Sequence, residues 1–164
     1  MCSETNNKTF FVTHSKGELA KKLAPYPIQQ INLSVNNRSF LNPRKVKTLA
    51  TFFTNNSIDT VIFNSPKDLK LGARAAKKAG VKNIVYRRGI AVEVKKKKLT
   101  EKLFRDVVTH FIFNSKETKR LLEKNYKDII EKKATEVIYN AIEFLTNNQT
   151  KEEKGSKVII GNAG

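Results

Sequence analysis

A strand that runs directly into a capped helix is the feature that most constrains this chain. In Val61–Asp68 (VIFNSPKD), an apolar stretch is followed at once by the residues that begin helices. Ser65 suits the N-cap, Pro66 suits the first helical position, and Asp68 lies three residues after the cap, as in a capping box. The same succession recurs in Phe111–Ser115 (FIFNS). Such strand-to-helix junctions are where doubly wound α/β domains bind their ligands.

Strand and helix patterns alternate about six times along the chain. Short apolar strands such as Thr60–Asn64 and His110–Asn114 separate amphipathic segments, and a helix over 66–79 is expected to stop at Gly80. An earlier helix is expected to begin at the cap Asn42, followed by Pro43. A helix is also predicted over Lys116–Asn125, followed by a short one over Asp128–Lys133 and a strand over Glu136–Tyr139. Strands that read as continuous apolar runs are typical of parallel sheets. The predicted fold class is therefore α/β: a Rossmann-like, doubly wound, mostly parallel sheet with helices on both faces.

The size and the cysteine content narrow the class of protein further. A chain of 164 residues with 39% hydrophobic residues is long enough for one ordinary domain with a core. The single cysteine, Cys2, leaves no partner for a disulfide within the chain. No apolar run approaches the roughly 18 residues that a membrane-spanning helix needs. We therefore expect a protein that is soluble or lies on a membrane surface.

The positive charge is large and unevenly distributed. The formal net charge is +17, and Lys67–Lys98 contains twelve Lys or Arg against two acidic residues, a net of +10. Such a field favours an anionic partner: phosphate, nucleic acid or anionic lipid. Four consecutive lysines precede an apolar helix and are predicted to form a membrane or anion patch: Lys95, Lys96, Lys97 and Lys98. The alternative is that the helix belongs to the core and the four lysines are simply a charged segment before it. The other lysines would then be ordinary solvated surface.

Polar residues follow four of the predicted strands. Because the carboxyl ends of parallel strands meet at one edge, these residues are the candidate substrate-binding set: Asn64, Ser65, Lys67, Arg87, Arg88, Gly89, Asn114, Ser115 and Asn140. Helix N-termini at the two serines offer free N–H groups to an anion, Arg88 can hold a phosphate or carboxylate with two donors, and Gly89 allows close backbone approach. The alternatives are helix capping for the serines, a solvated loop for the arginines and a turn at Asn140.

The sequence contains no recognisable catalytic centre. It has no zinc-ligand spacing, no glycine-rich dinucleotide or P-loop motif, and no set of Ser, His and Asp that suggests a triad. The catalytic residues are therefore left unassigned, no metal site is predicted, and no cofactor is expected in this stretch of chain.

Taken together, several segments resemble the N-terminal domain of family 4 glycosyltransferases, the group 1 enzymes of the GT-B fold. The resemblance runs over residues 8–164 and is carried by Thr60–Gly80, Tyr86–Ala91, Val108–Leu122, Glu136–Glu143 and Lys157–Gly164. The third segment resembles the family's S-x-x-T-K-x-x-L stretch after a strand. The fourth resembles its V-I-x-N-G-I-D signature, with Ala141 for the usual Gly. Arg88 stands where many members have His, and an arginine at this position suits a phosphorylated acceptor.

The resemblance implies a domain plan and an activity. Residues 1–144 are expected to form the acceptor-binding domain without its first strand and helix, 145–156 a linker, and 157–164 the first strand of the donor domain. Members of the family transfer a sugar, usually with retention, from a nucleotide-sugar donor to a glycan or lipid-linked acceptor of the lipopolysaccharide or cell-envelope type. The nucleotide-sugar donor binds the second domain, so this stretch alone is expected to be inactive.

The resemblance also implies a place and partners. We expect a cytoplasmic protein, peripheral on the inner face of the membrane, that binds its acceptor and no nucleic acid; the oligomeric state is left open. Two other functions compete with this one. One is a basic nucleic-acid-binding α/β module, motivated by the net charge of +17. The other is a different doubly wound binder of sugar phosphates or nucleotides, against which the lack of a glycine fingerprint counts.

Overall fold

The computed structural model describes residues 8–14, 17–26, 28–36 and 38–141. The elements in chain order are β1 (Phe10–Thr13), α1 (Glu18–Leu23), β2 (Gln29–Asn32), a 3₁₀ turn (Ser39–Leu41), α2 (Pro43–Asn55), β3 (Thr60–Phe63), α3 (Pro66–Ala79), β4 (Asn83–Arg88), α4 (Lys98–Asp106), β5 (His110–Phe113), α5 (Lys116–Ile130) and β6 (Ala134–Val137). The linker and donor-domain strand predicted at 145–156 and 157–164 lie outside the described residues.

The strands form two parallel sheets with helices around them. One sheet pairs β1 with β2, and the other has four strands in the order β3-β4-β5-β6. In the larger sheet Phe63 lies opposite Tyr86, and Arg88 lies opposite Phe113. Because every pair is parallel, all four carboxyl ends of that sheet lie on one edge. The Rossmann-like α/β class is confirmed, and the strands are divided between two sheets.

Local signals determine where the helices begin and end. Asn42 caps α2 by accepting hydrogen bonds from the backbone N–H groups of Arg44 and Lys45 at 3.0 and 3.3 Å. Ser65 caps α3 in the same way, accepting from the backbone of Asp68 at 3.2 Å. Gly80 ends α3 in the left-handed region, with φ of 70°. These ends are those that the sequence predicts, since a cap acts over only a few residues.

Two boundaries differ from the predicted ones. The segments expected as separate helices over 116–125 and 128–133 are joined in α5 across a kink at Tyr126, whose backbone is non-helical (φ −138°, ψ 20°), and the second segment ends at Ile130 rather than at 133. The last strand, predicted at 136–139, runs from Ala134 to Val137. Its position is determined by pairing with β5, in which His110 lies opposite Ala134. The pairing of β6 with β5 is a long-range contact, which local sequence patterns do not reveal.

The larger sheet has one covered face. Residues at alternate positions, such as Tyr86 and Phe111, are buried in a core shared with α3, α4 and α5. Phe104 of α4 is central to that core, with its ring centroid 5.1 Å from that of Tyr86 and 5.2 Å from that of Phe111. Residues on the opposite face, such as Ile62, line a shallow open groove or are exposed. Within the described residues, the helices that connect these four strands therefore lie in one layer, on one face of the sheet rather than on both.

Helix α3 approaches β3 closely at Gly72. A Cβ atom at this position would lie 2.0 Å from Cε1 of Phe63, a distance at which no real side chain fits. Leu69, Ala73 and Ala76 are fully buried on the same helix. The small residue at position 72 thus allows the helix to pack directly on the phenylalanine ring.

Replacing Gly72 by Ala should lower the free energy of unfolding by about 1 kcal/mol. Alanine improves helix propensity by about 1 kcal/mol, but forcing a methyl group into a packed ring costs about 1–3 kcal/mol and displaces Phe63. Urea unfolding of the two proteins measures the difference. The control is Gly80→Ala, where no atom lies within 4 Å of the added Cβ and only the φ of 70° is strained. An unchanged or higher stability of Gly72→Ala would show that the close approach is not required.

Candidate functional site

The carboxyl edge of the four-stranded sheet brings the predicted residues into one region. Asn64 follows β3, Gly89 follows β4, Asn114 follows β5, and Asn140 lies three residues beyond β6. The strand register holds these ends level, because the backbone N–H of Asn114 donates to the carbonyl of Arg88 at 3.1 Å. The edge is therefore a polar rim above a hydrophobic core.

Two hydrogen bonds link four of the predicted residues in two pairs, and the pairs lie next to each other in one cluster. Nη2 of Arg87 donates to Oδ1 of Asn140 at 2.9 Å, which links β4 to the segment after β6. Nδ2 of Asn114 donates to the carbonyl oxygen of Gly89, also at 2.9 Å. A Cβ atom at Gly89 would come within 3.3 Å of Nη1 of Arg87, so the glycine leaves room for that guanidinium. The structure thus places Arg87, Gly89, Asn114 and Asn140 side by side.

Arg88 lies apart from this cluster, on the covered face of the sheet. Adjacent residues of a strand point to opposite faces, so Arg87 and Arg88 diverge. Arg88 is only 8% exposed, and its Nη2 donates to the carbonyl oxygen of Val92 at 2.6 Å. No carboxylate in the described part of the chain pairs with it. A buried guanidinium with a single strong acceptor has several donors left for an anion.

The hydroxyl of Tyr86 lies close to Arg88 but makes no hydrogen bond of full geometry within the described residues. Tyr86 is fully buried, and its oxygen has no hydrogen-bond partner within the described residues. Burial raises the pKa of Tyr86, and the positive charge of Arg88, together with the interaction of its side chain with the hydroxyl, offsets part of that rise. A buried hydroxyl without a full hydrogen bond is costly and uncommon, and here it stands beside an arginine that has no counter-ion within the described residues.

The two cap serines are fully occupied in capping. The Ser115 hydroxyl accepts from the backbone of Thr118 at 3.1 Å, and Thr118 Oγ1 in turn accepts from the backbone of Ser115 at 3.2 Å. The Ser65 hydroxyl donates to Oδ2 of Asp68 at 2.6 Å. Lys67, in the first turn of α3, is exposed. The serine side chains therefore match the capping alternative, whereas the helix ends themselves still face the carboxyl edge.

The lysine run Lys95–Lys98 is exposed and its backbone is held in place. The hydroxyl of Tyr126 accepts from the backbone N–H of Lys97 at 3.1 Å and donates to the carbonyl of Lys95 at 3.0 Å. Burial also raises the pKa of this tyrosine. The following helix, α4, buries Leu103 and Phe104 in the core, so it is a core helix that is preceded by a charged segment.

The described residues do not contain a group of three or more His, Cys, Asp or Glu side chains arranged to hold a metal ion. Among the same residues, no helix combines the length and the apolar character needed to cross a membrane.

Sequence reasoning missed Tyr86 and Thr118 as members of the edge. Tyr86 shares a strand face with Arg88 because the two are separated by one residue, and that spacing was a usable signal. Thr118 donates from Oγ1 to Oδ1 of Asn114 at 3.0 Å, which fixes the amide whose nitrogen contacts Gly89. Its position at N3 of a capped helix is the corresponding signal in the sequence.

Comparison with solved structures finds a glycosyltransferase. The fold resembles that in the crystal structure of a glycosyltransferase from Rickettsia africae ESF-5, with a TM-score of 0.63 over 81% of this chain and 18% sequence identity. The chain spans 35% of the length of that protein. At this identity the likeness establishes the α/β fold and leaves the activity to be tested. No protein-family model and no curated protein matches the sequence.

The two buried tyrosines should respond differently to loss of the hydroxyl. Tyr126→Phe removes two hydrogen bonds and should lower the free energy of unfolding by about 1–2 kcal/mol. Tyr86→Phe removes a hydroxyl without a partner, so it should leave the stability unchanged or raise it. Urea unfolding of both variants is the measurement, and each serves as the control for the other. Equal losses in the two would mean that Arg88 already satisfies the Tyr86 hydroxyl.

Proposed function

We propose that this chain is the acceptor-binding part of a retaining glycosyltransferase of the GT-B fold, family 4 type. Such an enzyme takes a sugar from a nucleotide-sugar donor and transfers it to a glycan or lipid-linked acceptor of the cell envelope, as in lipopolysaccharide synthesis. In this proposal residues 1–144 bind the acceptor, and the donor is bound by a domain that begins at 157–164, after a linker over 145–156.

The fold likeness to a solved glycosyltransferase supports the general class of enzyme. The acceptor role is supported by the resemblance of four segments, in order, to the N-terminal domain of the family. The single observation that carries the proposal is Arg88, a guanidinium that is buried at the carboxyl edge without a carboxylate partner in the described residues. An unpaired buried charge is costly, so a site that retains one is suited to an anionic ligand.

Each residue of the edge has a distinct role in this proposal. Arg88, with the Tyr86 hydroxyl beside it, binds a phosphate or carboxylate of the acceptor. Arg87 and Asn140 hold each other and position the segment after β6, while Asn114 fixes the backbone of Gly89. The N-termini of α3 and α5, at Ser65 and Ser115, add backbone donors and partial positive charge along the same rim.

The proposal places the protein in the cytoplasm, against the inner face of the membrane. The lysine run Lys95–Lys98 is exposed at the start of α4, and the preceding loop exposes the apolar side chains of Ile90 and Val92. Basic and apolar groups together favour the surface of an anionic bilayer. A lipid-linked acceptor would be presented at that surface.

The nucleic-acid alternative has less support from the site. Proteins that bind single strands offer exposed aromatic rings as stacking platforms beside basic grooves. Here the aromatic residues of β4 and β5, Tyr86, Phe111 and Phe113, are buried in the core, and among the described residues of the edge only Tyr139, which is 62% exposed, offers a ring. The charge of +17 remains compatible with salt-dependent binding to any polyanion.

The test is binding of a phosphorylated oligosaccharide, compared with the same oligosaccharide without its phosphate, by isothermal titration calorimetry. Wild-type protein should prefer the phosphorylated form. Arg88→Gln keeps a donor for the carbonyl of Val92 but loses the charge, so affinity should fall about tenfold to a hundredfold.

The matched control for this variant is Arg105→Gln. Arg105 is exposed at the end of α4 and pairs with Glu101, with Nη2 to Oε1 at 2.6 Å, so its loss changes the net charge equally without touching the edge. If Arg88→Gln and Arg105→Gln bind alike, or if wild-type protein does not distinguish the two oligosaccharides, Arg88 has no part in acceptor binding.

A further inference from the structure

A groove away from the carboxyl edge combines an apolar floor with a cationic rim. It has a volume of about 430 Å³ and lies between the 3₁₀ turn, the start of α2 and the outer side of α3. The apolar lining consists of Phe40, Leu41, Pro43, Val46 and Val107. Leu41, at the end of the 3₁₀ turn, is 64% exposed, so a large apolar side chain projects from the rim into solvent.

The cations of the rim come from α3. Arg74, Lys77 and Lys78 line the groove, and all three are exposed. Nη1 of Arg74 donates to the carbonyl oxygen of Phe40 at 2.7 Å, and Nζ of Lys70 lies 5.8 Å from the centre of the Phe40 ring. These contacts fasten the 3₁₀ turn to the helix, so the groove is built before any ligand arrives.

The basic residues of α3 lie along one side of the helix. Lys67, Lys70, Arg74 and Lys77 are separated by three, four and three residues, which is the spacing of a single helical face. The opposite sides of α3 pack against β3 and against α2. The basic face is therefore the outer surface of the domain along the whole length of the helix.

This basic face is not neutralised by neighbouring acids. None of its cations forms an ion pair within the described residues, and the one acidic residue of α3, Asp68, is bound to Ser65. Helix α5 shows the contrast, because its cations pair along the helix, as in Lys119–Glu123 and Arg120–Glu117. Charge is thus balanced on α5 and left unbalanced on α3, beside an exposed leucine.

We propose that the outer face of α3 and the adjoining groove bind the surface of an anionic phospholipid membrane. Leu41 inserts among the lipids, and Arg74, Lys77 and Lys78 contact headgroup phosphates. A nucleic acid fits less well, because the groove floor and Leu41 offer an apolar surface, and the one aromatic ring of the lining, Phe40, is half-buried. The contact is separate from Lys95–Lys98 and does not depend on glycosyl transfer.

Sedimentation with vesicles tests the proposal on the 164-residue chain. The vesicles are pure phosphatidylcholine, or equal parts of phosphatidylcholine and phosphatidylglycerol, at low and high salt. Wild-type protein should bind only the anionic vesicles. Lys77→Gln with Lys78→Gln should weaken that binding about thirtyfold and reduce its salt dependence. Leu41→Ser should weaken it about tenfold with the salt dependence unchanged, because the leucine contributes apolar burial.

The matched control is Lys116→Gln with Lys132→Gln, which removes two exposed positive charges from the α5 side. It should bind nearly as well as the wild-type protein. Equal losses of vesicle binding in this control and in the α3 variant would show that net charge alone causes the effect, which would overturn the proposal. If vesicle binding were lost only when Lys95–Lys98 are changed to Gln, the proposal for α3 would be overturned, and the membrane contact proposed for Lys95–Lys98 would stand. Undiminished binding by Leu41→Ser, with displacement by duplex DNA, would assign the face to nucleic acid instead.

Discussion

The close packing of α3 on β3, permitted by the absence of a side chain at Gly72, is the contact on which the rest of the domain depends. Through it the helix lies directly on Phe63, and from that position it also contacts α2, the 3₁₀ turn and α4. The start of α3 contributes Ser65 to the carboxyl edge, and its outer side carries the basic face. Both surfaces to which we assign a ligand are therefore positioned by one helix, whose distance from the sheet is determined at one residue.

Because side chains alternate along β4, its two adjacent arginines lie on opposite faces of the sheet and have different roles. Arg87 emerges on the open face and is held by Asn140, whereas Arg88 is buried beside Tyr86 on the covered face. A single residue of shift in strand register would exchange them, placing the unpaired charge in solvent. The register of β4 against β3 and β5 is consequently part of the ligand site, since it decides which guanidinium is shielded from water and which is exposed.

Features encoded by a few consecutive residues were predictable, and features created by distant contacts were not. The caps at Asn42 and Ser65 and the stop at Gly80 could be predicted because each acts within one helical turn. The gathering of polar residues at the carboxyl edge followed from the parallel arrangement of the strands. The contacts of Tyr126, at the kink of α5, could not be foreseen, because that residue bonds to the backbone of Lys95 and Lys97 about thirty positions away. The burial of Arg88 could not be foreseen either, because it depends on how the sheet face that Arg88 shares with Tyr86 is covered.

The order of strands in the larger sheet has a consequence for how the domain forms. Because β3, β4, β5 and β6 pair in the order in which the chain presents them, each strand finds its partner one helix earlier in the sequence. During synthesis, every new strand therefore meets an edge that has already been assembled, and no strand must wait for a distant segment to be made. Parallel sheets usually fold slowly because their contacts span long stretches of chain. This arrangement keeps those spans near the minimum that a parallel connection allows, and it favours growth of the sheet one strand and one helix at a time.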